Sequence, residues 1–289
     1  MIPAPDKRLN RNGGALRIGR ILIPFRLTPS PDRFLEKQPV ALPLHASIII
    51  PVLNESAGIE AALRALSSWR DSGHEVIVVD GGSTDDTVEK ARPLSDRVLV
   101  ESPGRSHQMN AGASIAGGEV LIFLHADTRL PDDALAQLER FVGSLAVWGR
   151  FDVRLSGRRP LYRVIAAFMN GRSRLTGIAT GDQALFVRRA VFDEVGGFES
   201  IPLMEDVSFS QRLLPYSRPY CIGSPVVTDS RRWEKHGAWR TILTMWRLRW
   251  RYWRGDDPAK LVAQYYPGQA VSPKPEPTTV SHAKTNPDL

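Results

Sequence analysis

From residue 46 onward, short apolar runs of strand length alternate with stretches whose apolar residues recur every three or four positions. Residues 46–51 (ASIIIP) and 75–79 (EVIVV) are rich in β-branched side chains and read as buried strands. Between them, Ile59, Leu63 and Leu66 share one face of a helix drawn over 56–69. The pattern continues with a third strand over 97–101, a helix over 106–116 and a fourth strand over 120–124. Pro131 then marks the first turn of another helix, with Asp132 and Asp133 beside its positive end. Strand and helix alternating at this spacing predict an α/β fold, with a Rossmann-like, mostly parallel sheet flanked by helices. Ligands of such sheets bind beyond the carboxyl ends of the strands. That rule singles out Pro51 to Glu55, the turn from Asp80, and His125-Ala126-Asp127.

The flanks break the pattern. Residues 1–45 hold seven prolines and no sustained period, so they read as a partly disordered extension. Residues 268–289 carry four prolines and no aromatic residue, the composition of a disordered tail. A single domain over 46–267 remains. At 42% hydrophobic and 24% charged, the 289-residue chain is neither wholly disordered nor a coiled coil. Cys221 is its one cysteine, which excludes an intrachain disulfide and a Cys-rich zinc site and leaves oxygen or imidazole for any metal. No apolar run reaches the ~18 residues that span a bilayer. Arg20 interrupts the apolar stretch 18–25, so no secretion signal is read. The expectation is a cytoplasmic protein, with peripheral attachment to the cytoplasmic face of the membrane as a further option.

No Gly-x-Gly-x-x-Gly follows the first strand and no Gly-Lys-Ser or Gly-Lys-Thr loop occurs, so neither a dinucleotide fingerprint nor a P-loop accounts for the crevice. Four other blocks stand in order along the chain: SIIIPVLNE (47–55), VVDGGSTDDT (78–87), FLHADTRLP (123–131) and GGFESIPLMEDVSFSQRL (196–213). Together they resemble the family 2 glycosyltransferases of the GT-A fold over roughly 46–255. Within that family the chain is similar to small bacterial transferases with His-Ala-Asp-Thr in the third block and Arg-Arg-Trp after the fourth.

The resemblance implies roles for individual residues. Pro51, Asn54, Glu55, Asp80 and Gly81 fall in the nucleotide site, where a carboxylate accepts from a base N–H or a ribose hydroxyl. Asp80 as a plain turn-former is the alternative. Asp127 corresponds to the last Asp of the family's Asp-x-Asp, the ligand of a Mg²⁺ or Mn²⁺ ion that bridges the donor diphosphate. His125 replaces the first Asp, as a second metal ligand, a ribose contact or an uninvolved strand-end histidine. Glu205-Asp206 matches the family's catalytic pair, Asp206 being the general base of an inverting transfer; both residues also suit a helix N-terminus. Asp182 falls near donor sugar and acceptor, and Gly196-Gly197-Phe198 reads as a turn that aims the pair. Arg105 and Asn110 lie where the family approaches the nucleotide, although a solvated Arg and a helix-surface Asn explain them equally well. Arg231 and Arg232 suit the leaving diphosphate. His236 is a weaker metal candidate.

Residues 231–254 contain seven Arg and one Lys against one Glu, matching the whole chain's formal excess of +7, and five of its seven Trp. Over 237–254, Trp239, Ile242, Leu243, Trp246, Trp250 and Trp253 share one helical face while Arg240, Arg247, Arg251 and Arg254 fall largely on another. That basic aromatic C-terminal helix fits a membrane interface; a core helix with a solvated Arg face is the alternative. Nucleic-acid binding lacks any accompanying motif and is not expected. The sequence thus predicts a metal-assisted, inverting transferase that moves sugar from a nucleotide-diphosphate donor to an acceptor hydroxyl, the acceptor being lipid-linked. A non-catalytic membrane or nucleic-acid adaptor is the competing class. A nucleotidyltransferase is weaker still, since 51–55 lacks its Gly-rich, Arg-containing loop.

Overall fold

The structure is a computed structural model that describes residues 17–18, 21–22 and 44–265. The expected extension and tail lie outside the described residues, apart from a two-residue strand pair, Arg17–Ile18 with Ile21–Leu22. Eight strands form one sheet. In chain order they are β1 (Ala46–Val52), β2 (Glu75–Asp80), β3 (Arg97–Val100), β4 (Val120–Phe123), β5 (Thr128–Arg129), β6 (Trp148–Leu155), β7 (Leu185–Arg188) and β8 (Tyr220–Thr228). Their spatial order is β3-β2-β1-β4-β7-β6-β8-β5. β3, β2, β1 and β4 run parallel, as the alternation predicted, and β6 and β8 are also parallel. β7 enters antiparallel between β4 and β6, and β5 pairs antiparallel with β8.

Helices cover both faces. Along β1, Ile48 and Ile50 point to one side and Ile49 to the other, each with at most 1% of its surface exposed. The first side, with Val76, Val78 and Ile122, packs on α1 (Ile59–Arg64), α2 (Ser67–Asp71) and α5 (Ala134–Val142). The second, with Ile77, Val79 and Leu121, packs on α4 (Arg105–Ile115) and α8 (Glu205–Leu213). Burying each such side chain contributes about 1.5–3 kcal/mol, which explains why the parallel half reads as unbroken apolar runs. Between β2 and β3 lies α3 (Thr87–Ala91). The close approach of α4 depends on Gly112: a Cβ there would stand 2.5 Å from Ile49 Cγ2.

Two local expectations change. The helix drawn over 56–69 is two helices, broken where Leu66 N–H bonds Leu63 O at 3.0 Å. Pro131 precedes rather than begins α5: its carbonyl accepts from Ala134 N–H at 3.0 Å, and Asp133 is the N-cap.

The later part of the chain adds α6 (Pro160–Thr176), α7 (Arg189–Glu194), α9 (Arg231–His236), α10 (Ala238–Trp253) and α11 (Pro258–Tyr265). The basic aromatic segment is therefore two helices, α9 and α10. Leu248 of α10 is buried against Leu203, Met204, Val207, Leu261 and Val262, whereas Trp246, Trp250 and Trp253 are 55%, 54% and 65% exposed. Of the expected tryptophan face, Ile242 packs against the cluster of Leu155, Tyr162 and Ile165, while Trp246, Trp250 and Trp253 keep more than half their surface exposed.

Candidate active site

The carboxyl ends of β1 and β2 are tied together by side chains the sequence placed at the nucleotide. Asp80 is buried, and its Oδ2 accepts from the backbone N–H groups of Gly82 (2.9 Å) and Ser83 (2.8 Å), while Oδ1 accepts from Ser83 Oγ. Its carboxylate therefore shapes the turn, the plainer of the two roles considered for it. Asn54 sits at φ 55°, a left-handed backbone that Asn tolerates, and its Oδ1 accepts from Thr84 N–H at 2.9 Å. The N–H of Gly81 bonds Val52 O at 2.9 Å, and Gln108 Nε2 reaches Val52 O and Val79 O at 2.9 and 2.7 Å from below.

Across the sheet, Asp206 lies in the first turn of α8. Its Oδ2 accepts from Gly181 N–H at 2.9 Å and its Oδ1 from Val207 N–H at 2.7 Å. Two such bonds fix a carboxylate while leaving lone pairs for a substrate hydroxyl. Gly181 begins a short 3₁₀ turn closed by a capping box between Thr180 and Gln183. A Cβ on Gly181 would strike His125 Nε2, so glycine lets this segment pass the imidazole. His125 Nδ1 faces Asp182 Oδ1 at 3.5 Å.

Glu205 differs from its neighbour. It is only 7% exposed, and burial pushes its carboxyl above the ordinary range; the charge of Asp206 adds to the rise, and Arg105 opposes it. Glu205 is buried whereas Asp206 stays partly accessible from the cavity, so the geometry favours Asp206 as the base. Burial also raises Glu55, against the pull of Arg231, whose Nη2 is 3.8 Å from Glu55 Oε2. Arg231 Nε is bonded to Asp229 Oδ2 at 2.8 Å.

One cavity of about 520 Å³ joins these groups: Pro51, Glu55, Arg105, His125, Asp127, Asp182, Glu205 and Asp206 all line it. Asn54, Asp80, Gly81, Asn110 and Arg231 do not. The side chains of Arg232 and His236 lie outside the described residues. Asn110 has a different task, exchanging both its amide groups with the backbone of Phe198 at 2.8 and 2.9 Å. It thereby holds the Gly196-Gly197 turn, both glycines at positive φ, ahead of the acidic pair. Asp127 offers an exposed carboxylate at the cavity. Hard divalent cations bind through one or two carboxylates completed by phosphate oxygens and water, so Asp127 fits such an ion. Among the described residues no three His, Cys, Asp or Glu converge on one point, so an ion at Asp127 would need ligands from water or a bound anion.

Sequence reasoning missed the far wall. α6 contributes Val164, Phe168 and Arg172, and α10 contributes Leu243, Trp246 and Arg249. Phe168 and Trp246 stack with centroids 5.6 Å apart, and both are more than half exposed. The α10 residues stood in a recognised amphipathic pattern, but nothing in 160–176 signals that α6 lies opposite Asp206.

Residues 47–196 match the model described as glycosyl transferase family 2. A PGL/p-HBAD biosynthesis glycosyltransferase of Mycobacterium tuberculosis is 34% identical over 164 residues, covering 53% of this chain and 62% of that protein. Glycosyltransferase AglE of Haloferax volcanii is 39% identical over 90 residues, covering 28% of this chain and 30% of that protein. The chain thus matches less than two thirds of the length of these curated relatives. Among solved structures, a mannosyltransferase from Pyrobaculum calidifontis, crystallised with GDP-Man and Mn²⁺, gives a TM-score of 0.54 at 22% identity, covering 84% of this chain and 71% of the other. Residues 1–349 of S. aureus TarS give 0.51 at 20% identity, covering 65% and 61%. These two likenesses establish the fold.

Proposed function

The chain belongs to glycosyl transferase family 2, and from that premise we propose that it moves a sugar from a nucleotide-diphosphate donor to an acceptor hydroxyl with inversion at the anomeric carbon. The observation that carries this reading is that Asp127, Glu55 and Asp206 line one cavity together. In the proposed reaction the acceptor oxygen forms its bond to the anomeric carbon as the bond to the diphosphate oxygen breaks. Asp206 takes the hydroxyl proton, and the nucleoside diphosphate leaves. Gly181 N–H and Val207 N–H aim the base. Asp127 would hold Mg²⁺ or Mn²⁺, which supplies charge neutralisation of the leaving diphosphate when bound. Arg231, outside the cavity lining but 3.8 Å from Glu55, adds a cation beside that carboxylate. The fold neighbour crystallised with GDP-Man and Mn²⁺ supports the donor class.

The acceptor in this reading is lipid-linked, and the protein docks peripherally on a membrane through 237–254. Exposed Trp246, Trp250 and Trp253 support this, as do the exposed Arg240, Arg247 and Arg254 on the same helix. Val164 and Phe168 of α6 extend the apolar surface to the cavity mouth. No helix among the described residues is long and apolar enough to cross a membrane.

Thermal unfolding with UDP, GDP, TDP or CDP, each with and without Mn²⁺, tests the donor site, because a ligand that binds only the native state raises its stability. One nucleotide should raise Tm in a metal-dependent way, and Asp127→Ala should abolish the metal dependence. No shift with any nucleotide would favour an inert scaffold. Co-sedimentation with vesicles containing anionic lipid tests docking: wild type should pellet and a Trp246→Ser/Trp250→Ser/Trp253→Ser variant should not.

A further inference from the structure

We propose that Arg172 and Arg249 form an oxyanion subsite on the acceptor side of the cavity, which binds a phosphate or carboxylate carried by the acceptor. The proposal rests on the transfer reading and adds a charged group to the acceptor it requires. Arg172 projects from α6 and Arg249 from α10, and both line the cavity that contains Asp206. Arg172 Nη2 and Arg249 Nε are buried without a hydrogen-bond partner among the described residues.

Other half-buried or buried guanidinium groups donate to backbone carbonyls through their Nη atoms, even where, as in Arg150 and Arg212, Nε has no partner. Arg188 donates to the carbonyls of Val142, Ser144 and Ala146, and Arg189 to those of Ala113, Ala116 and Gly118. Those are structural arginines, each closing a loop or helix end. Arg172 and Arg249 have no such carbonyls. Fully buried Arg150, paired with Asp152, adds a third positive charge nearby, and the compensating anion facing Arg172 is Asp206. Burial, then the charge of Arg249, pulls the Arg172 guanidinium down to about 10.

Holding two like charges partly out of water with donors unused is unfavourable to the fold unless a ligand supplies the acceptors. A phosphate or carboxylate does so, since its oxygens match the guanidinium fork. The donor diphosphate is assigned to Asp127, through a divalent cation, and to Arg231, which lies 3.8 Å from Glu55. Arg172 and Arg249 stand instead on the wall shared with Phe168, Met169, Met245 and Trp246. A ligand reaching both would join an anionic group to an apolar one.

Inorganic phosphate and decyl phosphate, titrated at constant ionic strength with intrinsic tryptophan fluorescence and Tm as readouts, test the site. Titrations run with and without the saturating nucleotide and Mn²⁺. Wild type should bind inorganic phosphate under both conditions. Arg172→Gln and Arg249→Gln should each weaken that binding about tenfold, the loss of one charge-assisted contact, while the nucleotide-induced Tm shift persists and shows that the variants are folded. Without ligand, Arg249→Gln should melt at or above the wild-type temperature, since it removes the like charge beside the half-buried Arg172. Decyl phosphate binding more tightly than phosphate, with the gain lost in Trp246→Ala, would identify an amphiphilic source; equal affinities would identify a soluble one. Phosphate binding that nucleotide abolishes, that neither variant weakens, or that wild type lacks would overturn the subsite. Absence of any nucleotide shift in wild type would instead sink the transfer reading, separately from the phosphate result.

Discussion

The backbone N–H of Gly181 donates to Oδ2 of Asp206 at 2.9 Å, joining the 3₁₀ turn before β7 to the first turn of α8. The bond exists because residue 181 has no side chain to strike His125. Gly181→Ala should displace the imidazole or lift the turn off the carboxylate. Misplacing a base by about 1 Å lowers turnover on the order of 10²-fold. Steady-state kinetics should show that fall in kcat with nucleotide affinity retained.

Asp206→Asn keeps the shape of the side chain and removes the proton acceptor. Loss of general-base catalysis lowers transfer by about 10²–10⁴-fold. Nucleotide-induced stabilisation should be unchanged. Turnover at the wild-type rate would remove Asp206 from the mechanism.

The parallel half of the fold was legible chiefly because its inner strands, β1, β2 and β4, are buried on both faces and so appear as apolar runs. β6 (WGRFDVRL) hid for the opposite reason: it carries Arg150 and Asp152, whose mutual ion pair makes charge tolerable inside the sheet. The acidic residues of the site were visible by type and order. Their division of labour was not, because whether Asp80 meets solvent or a turn, and whether Asn110 meets ligand or Phe198, depends on how the folded chain places backbone from 2 to 88 positions away. Arg172 and Arg249 were invisible for the same reason, their helices meeting only in the folded chain.

Glu205 should make stability depend on pH. Its folded-state pKa is raised above the ordinary 4.5, so the native state holds this proton more tightly than the unfolded state. The contribution is fully present below 4.5 and is lost as pH rises through the folded value. Glu205→Gln, which cannot ionise, should therefore melt higher than wild type at pH 8, with the gap narrowing as pH falls toward 4.5. Parallel Tm profiles for the two proteins would contradict the assignment.

Gly112→Ala adds a methyl group 2.5 Å from Ile49 Cγ2 and 3.0 Å from Val79 Cγ2. Overpacking of this kind destabilises by about 1–3 kcal/mol, outweighing the ~1 kcal/mol gain in helix propensity. Chemical denaturation should show a lower midpoint with an unchanged slope.

Leu248 of α10 and Leu261 and Val262 of α11 share one apolar cluster with Leu203, Met204 and Val207, the residues that bracket Glu205 and Asp206. Met204 holds a left-handed backbone at φ 69°, a strained conformation for a side chain with a Cβ, and that cluster buries it. The C-terminal helices are consequently not a detachable anchor. Cutting the chain after Thr228 would release Met204 from its packing and let the loop relax, and the base would lose its position along with the helix. A minimal catalytic fragment of this protein has to include α11.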